Sequence, residues 1–267
     1  MQRDVSSRIV LNVTEEADLV FAVAVAGHYA PNHEHFTATI DGAALPVAEH
    51  ELFDAHGTRL HRLTSPPGEL VVDYGALVLG AGDTAIAHEA DLLTYARPSR
   101  YAESDMLLAT AAAEFGGIDD PRELLTAVSS WVGTRLVYVP GSSLPTDGAV
   151  RTLLARQGVC RDYAHLCVAL LRSRGVPARV AAVYAPGLAP MDFHAVAEAW
   201  VDDAWCVVDA TTLAPRSTLV RIATGRDAAD TAFLTVMSGR TTLVDLTVTA
   251  TVDSLPADDL EQRVSIA

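Results

Sequence analysis

Lysine is absent from the 267-residue sequence, so its 19 basic side chains are all arginines and none carries a primary amine. Acidic residues outnumber them at 34, which gives a formal net charge of −15 at pH 7 with no basic run anywhere. Nucleic acids and anionic membrane surfaces are therefore not expected as partners. The charge by itself indicates solubility rather than a particular function, and biased codon usage is a sufficient cause of the missing lysines.

Cysteine and long apolar runs are scarce as well. The three cysteines, Cys160, Cys167 and Cys206, are odd in number and form no CxxC pair, which argues against a disulfide framework and a zinc site. The longest apolar run, residues 19–27, is far too short to span a bilayer. The first residues also lack the charged and apolar regions of a signal peptide, so we expect a cytoplasmic protein.

The character of the sequence changes near the segment ARPS, residues 96–99. Before it, short apolar or alternating runs separated by turn signals predict a small β-rich N-terminal domain over residues 1–95. After it, helical patterns give way to strand patterns, which predict a second domain of the α+β class over residues 96–267. The chain is therefore expected to contain two domains.

Helix and strand signals are clearest in the second region. Capping signals place one helix from Pro121, with Asp120 as N-cap, and another from Cys160 to a left-handed glycine at Gly175. The later strand patterns are joined at Asp202-Asp203, a pair typical of a tight hairpin. The remaining expected elements are helices over 103–115 and 147–157 and strands over 178–184, 194–201, 204–209 and 241–252.

A cysteine follows directly after a glycine turn in the stretch GVCRDYAHLC, residues 158–167. A thiol is a useful nucleophile only as its thiolate, which a helix N-terminus and a neighbouring imidazole both favour. The turn at Gly158 supplies the first of these to Cys160 and leaves the Cys160 N–H free as one donor of an oxyanion hole. Most free cysteines are instead buried core residues, which we expect of Cys167 and Cys206.

A histidine and an aspartate lie at matching distances from the predicted hairpin turn. His194 lies eight residues before Asp202, and Asp209 lies six residues after Asp203. The ends of an antiparallel hairpin approach each other within a residue or two, so a carboxylate can hold an imidazole there. The sequence therefore predicts a base and its orienting acid facing the start of the Cys160 helix.

The order GVCRDYAHL, DFHAVAEAW and AWCVVDAT, with the lead-in YARPSRYAESD, resembles the core of the transglutaminase-like superfamily of papain-like thiol acyltransferases and cysteine proteases. The resemblance implies a nucleophile helix packed on an antiparallel sheet and preceded by a β-rich N-terminal domain. It also implies that Cys160 is the nucleophile, His194 the base and Asp209 the orienting acid. The usual HAW-E signature reads HAVAE from His194, with the tryptophan at Trp200, which puts the usual lining of the groove in doubt.

Three further residues near this constellation have alternative interpretations. Tyr138 is a candidate for the second oxyanion donor, although plain packing explains a tyrosine equally well. Asp162 falls in the first turn of the Cys160 helix, where a carboxylate caps the helix, with contact to substrate as a secondary role. His165 points away from Cys160 by about 140° on the helix and is expected to be structural or to lie at the groove edge.

The chemistry implied by the resemblance is acyl transfer from a peptide or a small amide or ester. Cys160 attacks the carbonyl, and His194 takes the thiol proton and later protonates the leaving group. No cofactor is required, and His28, His33 and His35 lack the pattern of a metal site. Hydrolysis is favoured over transfer to an amine, because the sequence contains no sign of an amine site.

An alternative from a different class remains open at this stage. The same groove would also suit a non-catalytic module that binds a peptide, with the Cys-His-Asp set retained by ancestry. An intact set weighs against this alternative, because a binding groove does not need a thiol beside an imidazole. The identity of the acyl donor and acceptor depends on loops such as residues 186–192, whose shape the sequence does not reveal.

Overall fold

The computed structural model describes residues 1–47, 51–83 and 87–266. The first sheet is antiparallel and is built mainly from the N-terminal region, in the strand order β3-β2-β6-β1-β5-β4. Along its central strand, inward residues such as Val5, Ile9 and Leu11 are fully buried while their neighbours are more exposed, as the period of a strand requires. Its strands are β1 (Gln2–Phe21), β2 (Asn32–Ile40), β3 (Ala43–Leu45), β4 (Glu51–Phe53), β5 (Arg59–Ser65) and β6 (Gly68–Leu79).

Helices follow this sheet along the chain. The Asp120 carboxylate accepts a hydrogen bond of 2.9 Å from the Arg122 N–H, which confirms the predicted N-cap. The predicted helix over 103–115 is shorter than expected, because a 3₁₀ turn over Ser104–Met106 precedes it. The helices are α1 (Glu89–Tyr95), α2 (Leu108–Phe115), α3 (Pro121–Arg135), α4 (Ala149–Ala155) and α5 (Cys160–Ser173).

Helix α5 begins at Cys160 as predicted and forms the centre of the second core. Gly175 follows its last turn with a φ of +78°, which is the expected left-handed cap. Fully buried side chains such as Leu166 and Leu170 pack on the alanines of the neighbouring sheet, among them Ala197. No helix in the described part of the chain has both the length and the apolar character needed to cross a membrane.

The second sheet is antiparallel and has the order β11-β10-β9-β12. Asp202 and Asp203 join two of its strands with φ of 53° and 57°, the left-handed geometry of the predicted tight turn. With α5 packed on one face, this sheet confirms the predicted α+β fold of a helix on an antiparallel sheet. A two-residue parallel pair, β7 (Val137–Tyr138) with β8 (Gln157–Gly158), precedes it, and its strands are β9 (Ala178–Tyr184), β10 (His194–Val201), β11 (Ala204–Val208) and β12 (Val220–Gly225).

The last long strand, β13 (Leu234–Val252), returns to the first sheet. It pairs antiparallel with β1 from Arg3 opposite Val252 to Phe21 opposite Leu234. Its inward side chains Val248 and Ala250 are buried in the core of that sheet. The predicted strand over 241–252 is therefore confirmed and longer than expected. The division of the chain into domains over 1–95 and 96–267 stays a prediction, although the pairing of β13 with β1 places this strand of the second region in the first sheet.

Candidate active site

Cys160 is the first residue of α5, and a hydrogen bond to Asp162 holds the turn that precedes it. Val159 is extended, with φ of −113° and ψ of −179°, and the Asp162 carboxylate accepts a 2.8 Å hydrogen bond from its N–H. A Cβ at Gly158 would lie 2.6 Å from the Cβ of Asp162, so a larger residue than glycine does not fit before the turn. The sequence around the cysteine thus fixes the backbone that presents the thiol.

Asp162 serves this turn rather than a ligand. Its side chain is 2% exposed, and its second oxygen accepts a 2.9 Å hydrogen bond from the Ser143 hydroxyl. Both carboxylate oxygens are therefore engaged inside the protein. The predicted capping role agrees with this position, whereas the secondary role in substrate contact finds no support in it.

His194 and Asp209 form a buried pair at the open end of the β10–β11 hairpin. The Nε2 atom of His194 lies 2.8 Å from an Asp209 carboxylate oxygen, and the two side chains are 0% and 2% exposed. The other Asp209 oxygen accepts hydrogen bonds of 2.9 Å from the Thr211 N–H and 2.7 Å from its hydroxyl. The proximity predicted from the Asp202-Asp203 turn is confirmed as a geometric fact.

The electrostatics of the pair favour a charged imidazole. Burial works against protonation, but the Asp209 carboxylate outweighs it and raises the pKa of His194 to about 10, with a further contribution from Cys160. Burial also opposes ionisation of Asp209, but His194 and Thr211 lower the pKa of its carboxyl. The Nε2 atom of His194 is bound to Asp209. The Nδ1 atom is buried and has no other polar partner among the described residues, so it is the nitrogen left for the thiol.

Tyr138 lies beside the same thiol. It pairs with Gly158, two residues before Cys160, and burial and the neighbouring Cys160 raise the pKa of Tyr138 to about 12. The ring centroid lies 6.0 Å from that of Tyr163, so the two rings form a wall next to the nucleophile. Asp192, the nearest alternative partner for His194, instead accepts a 2.7 Å hydrogen bond from the Phe193 N–H.

The other candidates named from the sequence are structural. His165 is fully buried, its Nε2 accepts a 3.0 Å hydrogen bond from the Ala228 N–H, and burial lowers its pKa to about 3. Its ring stacks on Tyr101 at 5.4 Å between centroids. Cys167 and Cys206 are buried free thiols, which confirms the prediction that both are core residues.

A cavity of about 580 Å³, named here the α3 cleft, adjoins the site and was not predicted. One wall is the hydroxyl-rich face of α3, and the opposite wall is residues 207–212, which include Asp209. Tyr138 and Tyr163 also line it, and residues 260–263 form its outer wall. The helical spacing of Thr126, Ser129, Ser130 and Gly133 opposite an apolar stripe is the one signal in the sequence that points to it.

Comparison with known proteins identifies the family of the chain. Residues 109–210 match the model of the Transglutaminase-like superfamily. The crystal structure of a protein from Cytophaga hutchinsonii, described as a "Putative Cysteine Protease", is similar with a TM-score of 0.86 and 31% sequence identity, covering 97% of this chain and 94% of that one. The chain belongs to the transglutaminase-like superfamily, a family of thiol-dependent enzymes.

The chain is also similar to parts of two mycobacterial proteins. An uncharacterized protein of Mycobacterium leprae is 27% identical over 156 residues, which are 54% of this chain and 55% of that protein. An uncharacterized protein of Mycobacterium tuberculosis is 41% identical over 56 residues, 21% of this chain and 18% of that protein. The chain thus spans about half or less of the length of these relatives.

Proposed function

We propose that the protein is a cysteine-dependent hydrolase that cleaves amide or ester bonds through a covalent thioester. In this proposal Cys160 is the nucleophile, His194 transfers protons, and Asp209 orients and charges the imidazole. One observation carries it: the buried 2.8 Å pair of His194 and Asp209 leaves a single imidazole nitrogen, Nδ1, for the thiol at the start of α5. The similarity to the solved protein described as a "Putative Cysteine Protease" supports the reaction class.

In the first half of the reaction the enzyme becomes acylated. Because the pKa of His194 is raised to about 10, its ring is protonated at neutral pH, and an imidazolium beside a thiol favours the thiolate. The Cys160 sulfur attacks the substrate carbonyl and forms a C–S bond. The resulting oxyanion accepts hydrogen bonds from the Cys160 N–H and the Tyr138 hydroxyl. The C–N or C–O bond then breaks as His194 protonates the departing amine or alcohol.

In the second half water releases the acyl group. His194, now neutral, takes a proton from a water molecule that attacks the thioester carbonyl. The C–S bond breaks, the carboxylic acid leaves, and the thiolate–imidazolium pair is restored. His194 gives up one proton in the first half of the reaction and regains one in the second half. The cycle therefore needs no other acid or base.

Labelling and mass spectrometry test the proposal directly. Iodoacetamide near pH 6 should alkylate Cys160 selectively and fast, because this thiol alone has an imidazolium beside it, while the buried Cys167 and Cys206 stay unmodified. Intact-mass analysis with a small panel of peptides, amides and esters should show an acyl-enzyme that Cys160→Ala lacks and Cys206→Ala retains. Three equally sluggish thiols and no adduct would instead support a module that only binds peptide.

A competition with amines separates hydrolysis from acyl transfer. Purified protein should form no isopeptide-linked oligomers in either case, since the chain contains no lysine. The informative step adds a small primary amine at millimolar concentration to an active acyl donor. Water is in vast excess, so an amine competes only if it binds in an oriented position beside the thioester. We expect free acid as the product, and saturable conversion of the donor to its amide would make the enzyme an acyltransferase.

A further inference from the structure

The α3 cleft meets the proposed nucleophile through one side chain. Tyr138 lines the cleft and pairs with Gly158, two residues before Cys160, and its ring lies 6.0 Å from that of Tyr163. Asp209, the carboxylate that holds His194, belongs to the opposite wall. An acyl chain lying in the cleft would therefore place its reacting carbonyl at the Tyr138 end, next to the sulfur.

The middle of the α3 wall offers the cleft uncharged hydrogen-bonding groups. Thr126, Ser129 and Ser130 line the cavity from successive turns of α3 and offer it their hydroxyl groups. Thr211 and Thr212 supply further polar groups from the other side. Hydroxyls both donate and accept, so such walls suit amide and hydroxyl groups of a ligand.

The basic residues of the rim are already paired. Arg122 Nε lies 2.6 Å from Asp202, which also accepts from Arg263. Arg216 Nε lies 2.9 Å from Asp258. Arg122 and Arg263 share one carboxylate, but Glu123 and Glu261 add two more negative charges, so carboxylates outnumber guanidinium groups at the described rim. Anionic substrates are disfavoured at this entrance.

Hydrogen bonds hold residues 260–263, the outer wall of the α3 cleft, in place. The Arg216 guanidinium donates to the carbonyls of Asp259 and Gln262, at 2.6 Å and 3.0 Å. Beyond this wall the Val207 N–H on β11 donates a 2.8 Å hydrogen bond to the Val264 carbonyl, and Ile266 is buried. The cleft is therefore a formed cavity of the size that small ligands occupy in proteins.

We propose that the α3 cleft binds the acyl side of the substrate and selects an uncharged polar chain, such as a short peptide segment of Ser, Thr, Asn and Gly residues, over an acidic one. This assignment rests on the proposed function, because it requires an acyl group on Cys160. It goes further by naming the surface that recognises the substrate and the chemistry that it accepts.

Acylation by three p-nitrophenyl esters tests the assignment. The probes are the acetate, the ester of acetyl-Ser-Asn-Gly and the ester of acetyl-Glu-Glu-Gly, with each rate divided by the rate of the same ester with free cysteine. We expect the Ser-Asn-Gly ester to acylate Cys160 about tenfold faster than the acetate, and the Glu-Glu-Gly ester to show no such gain. Equal normalised rates for all three esters would overturn the assignment.

Variants of α3 locate the preference in the cleft. Ser130→Phe fills the cavity and should abolish the tenfold preference, measured as the ratio of the Ser-Asn-Gly rate to the acetate rate of the same variant. Ala113→Phe adds the same ring to an exposed position on α2, outside the cleft, and should leave every rate unchanged. If Ser130→Phe does not fold, Thr126→Phe one turn earlier provides the same test. A preference that survives a filled cleft overturns the assignment, whereas failure of every ester to acylate Cys160 overturns the proposed function itself.

Discussion

Strand β10 carries two buried ionic clusters, centred on residues four apart. They differ in whether the central side chain has all of its hydrogen bonds within the protein. At Glu198, the carboxylate accepts hydrogen bonds of 2.8 Å from Arg179 and of 2.7 Å and 2.6 Å from Arg221. At His194, one ring nitrogen is bound to Asp209 and the other is left for a thiol. The Glu198 carboxylate is saturated by protein donors, and the His194 ring is not.

The size of the pKa shift does not distinguish the two clusters. Burial raises the pKa of Glu198, but Arg179 and Arg221 outweigh it and lower the value to about 2, a shift comparable to that of His194. Strongly shifted groups therefore occur in structural networks as well as in reactive sites. Each cluster holds one buried nitrogen without a hydrogen-bond partner, Arg221 Nε in one and His194 Nδ1 in the other. The informative difference is that the carboxylate of the first cluster is fully bonded, whereas the open nitrogen of the second belongs to a titratable ring near a thiol.

The largest expected effect on activity comes from removing Nδ1 of His194, the nitrogen that Asp209 does not bind. His194→Gln keeps a side-chain amide that can donate to Asp209 but removes the imidazole that serves Cys160. We expect kcat/KM to fall about 10⁴-fold, or about 5.5 kcal/mol of transition-state stabilisation, because the members of a catalytic unit act together. The free energy of unfolding should fall as well, because the buried Asp209 carboxylate loses its charged partner, so kcat/KM is measured on protein that circular dichroism shows to be folded. Turnover within tenfold of the wild type would show that His194 does not transfer the proton.

Breaking the saturated cluster should affect folding instead. Glu198→Gln leaves two buried guanidinium groups without their carboxylate, and we expect the free energy of unfolding to fall by about 3–5 kcal/mol. Urea denaturation measures this loss. Glu15→Gln makes the same change in the exposed pair with Arg240, where the side chains are 58% and 74% exposed, and should cost less than about 0.5 kcal/mol.

The Glu198 cluster also predicts an acid dependence of stability. The pKa of Glu198 is lowered in the folded state, so its contribution to stability is complete above its ordinary value of 4.5 and is lost as the pH falls towards about 2. The difference in unfolding free energy between wild type and Glu198→Gln should shrink over that range. A difference independent of pH would mean that the carboxylate is not charged in the folded protein.

Neutralising the partner of His194 should have an intermediate effect. The raised pKa of His194 means that its imidazolium is present below about pH 10 and is lost as the pH rises through that value. Asp209→Asn removes the charge that raises it, so the alkaline limb of kcat/KM for an amide substrate should move down by more than one pH unit, with a loss of about 100-fold in rate.

Asp192→Asn is the matched control for this change, since it neutralises a carboxylate two residues from His194 that does not bond the ring. Its alkaline limb should stay close to that of the wild type. If Asp192→Asn moves the limb and Asp209→Asn does not, the roles of the two aspartates are reversed.

The parts of this site that the sequence predicts are those fixed by local signals. A glycine turn followed by a helical pattern places Cys160 at a helix start, and the Asp202-Asp203 turn sets the register that brings His194 to Asp209. Neighbouring residues in the chain determine each of these features, so the features can be predicted without knowledge of the rest of the fold.

The parts that the sequence does not predict depend on distant contacts. The pairing of β13 with β1 joins Arg3 to Val252, and no local pattern specifies which strand an alternating segment will meet. The α3 cleft likewise needs a helix, a loop and residues 260–263 to come together. The seven-residue helix α1 is too short for a helical period to stand out.

The smallest expected effect comes from a helix residue that touches neither member of the His194–Asp209 pair. A Cβ at Gly133 on α3 would lie 2.7 Å from the carbonyl oxygen of Ala210, the residue after Asp209. Alanine normally stabilises a helix interior by up to about 1 kcal/mol relative to glycine, but here the methyl group must push that carbonyl away. We therefore expect Gly133→Ala to reorient Asp209, lower kcat about threefold and move the alkaline limb of the pH profile slightly down.

Gly117→Ala is the control for this change. No atom lies within 4 Å of the new Cβ there, so kcat and the alkaline limb should stay unchanged. A Gly133→Ala enzyme with wild-type kinetics and higher stability would show that the Asp209 turn is held by the 2.9 Å and 2.7 Å hydrogen bonds of Thr211 and not by contact with α3.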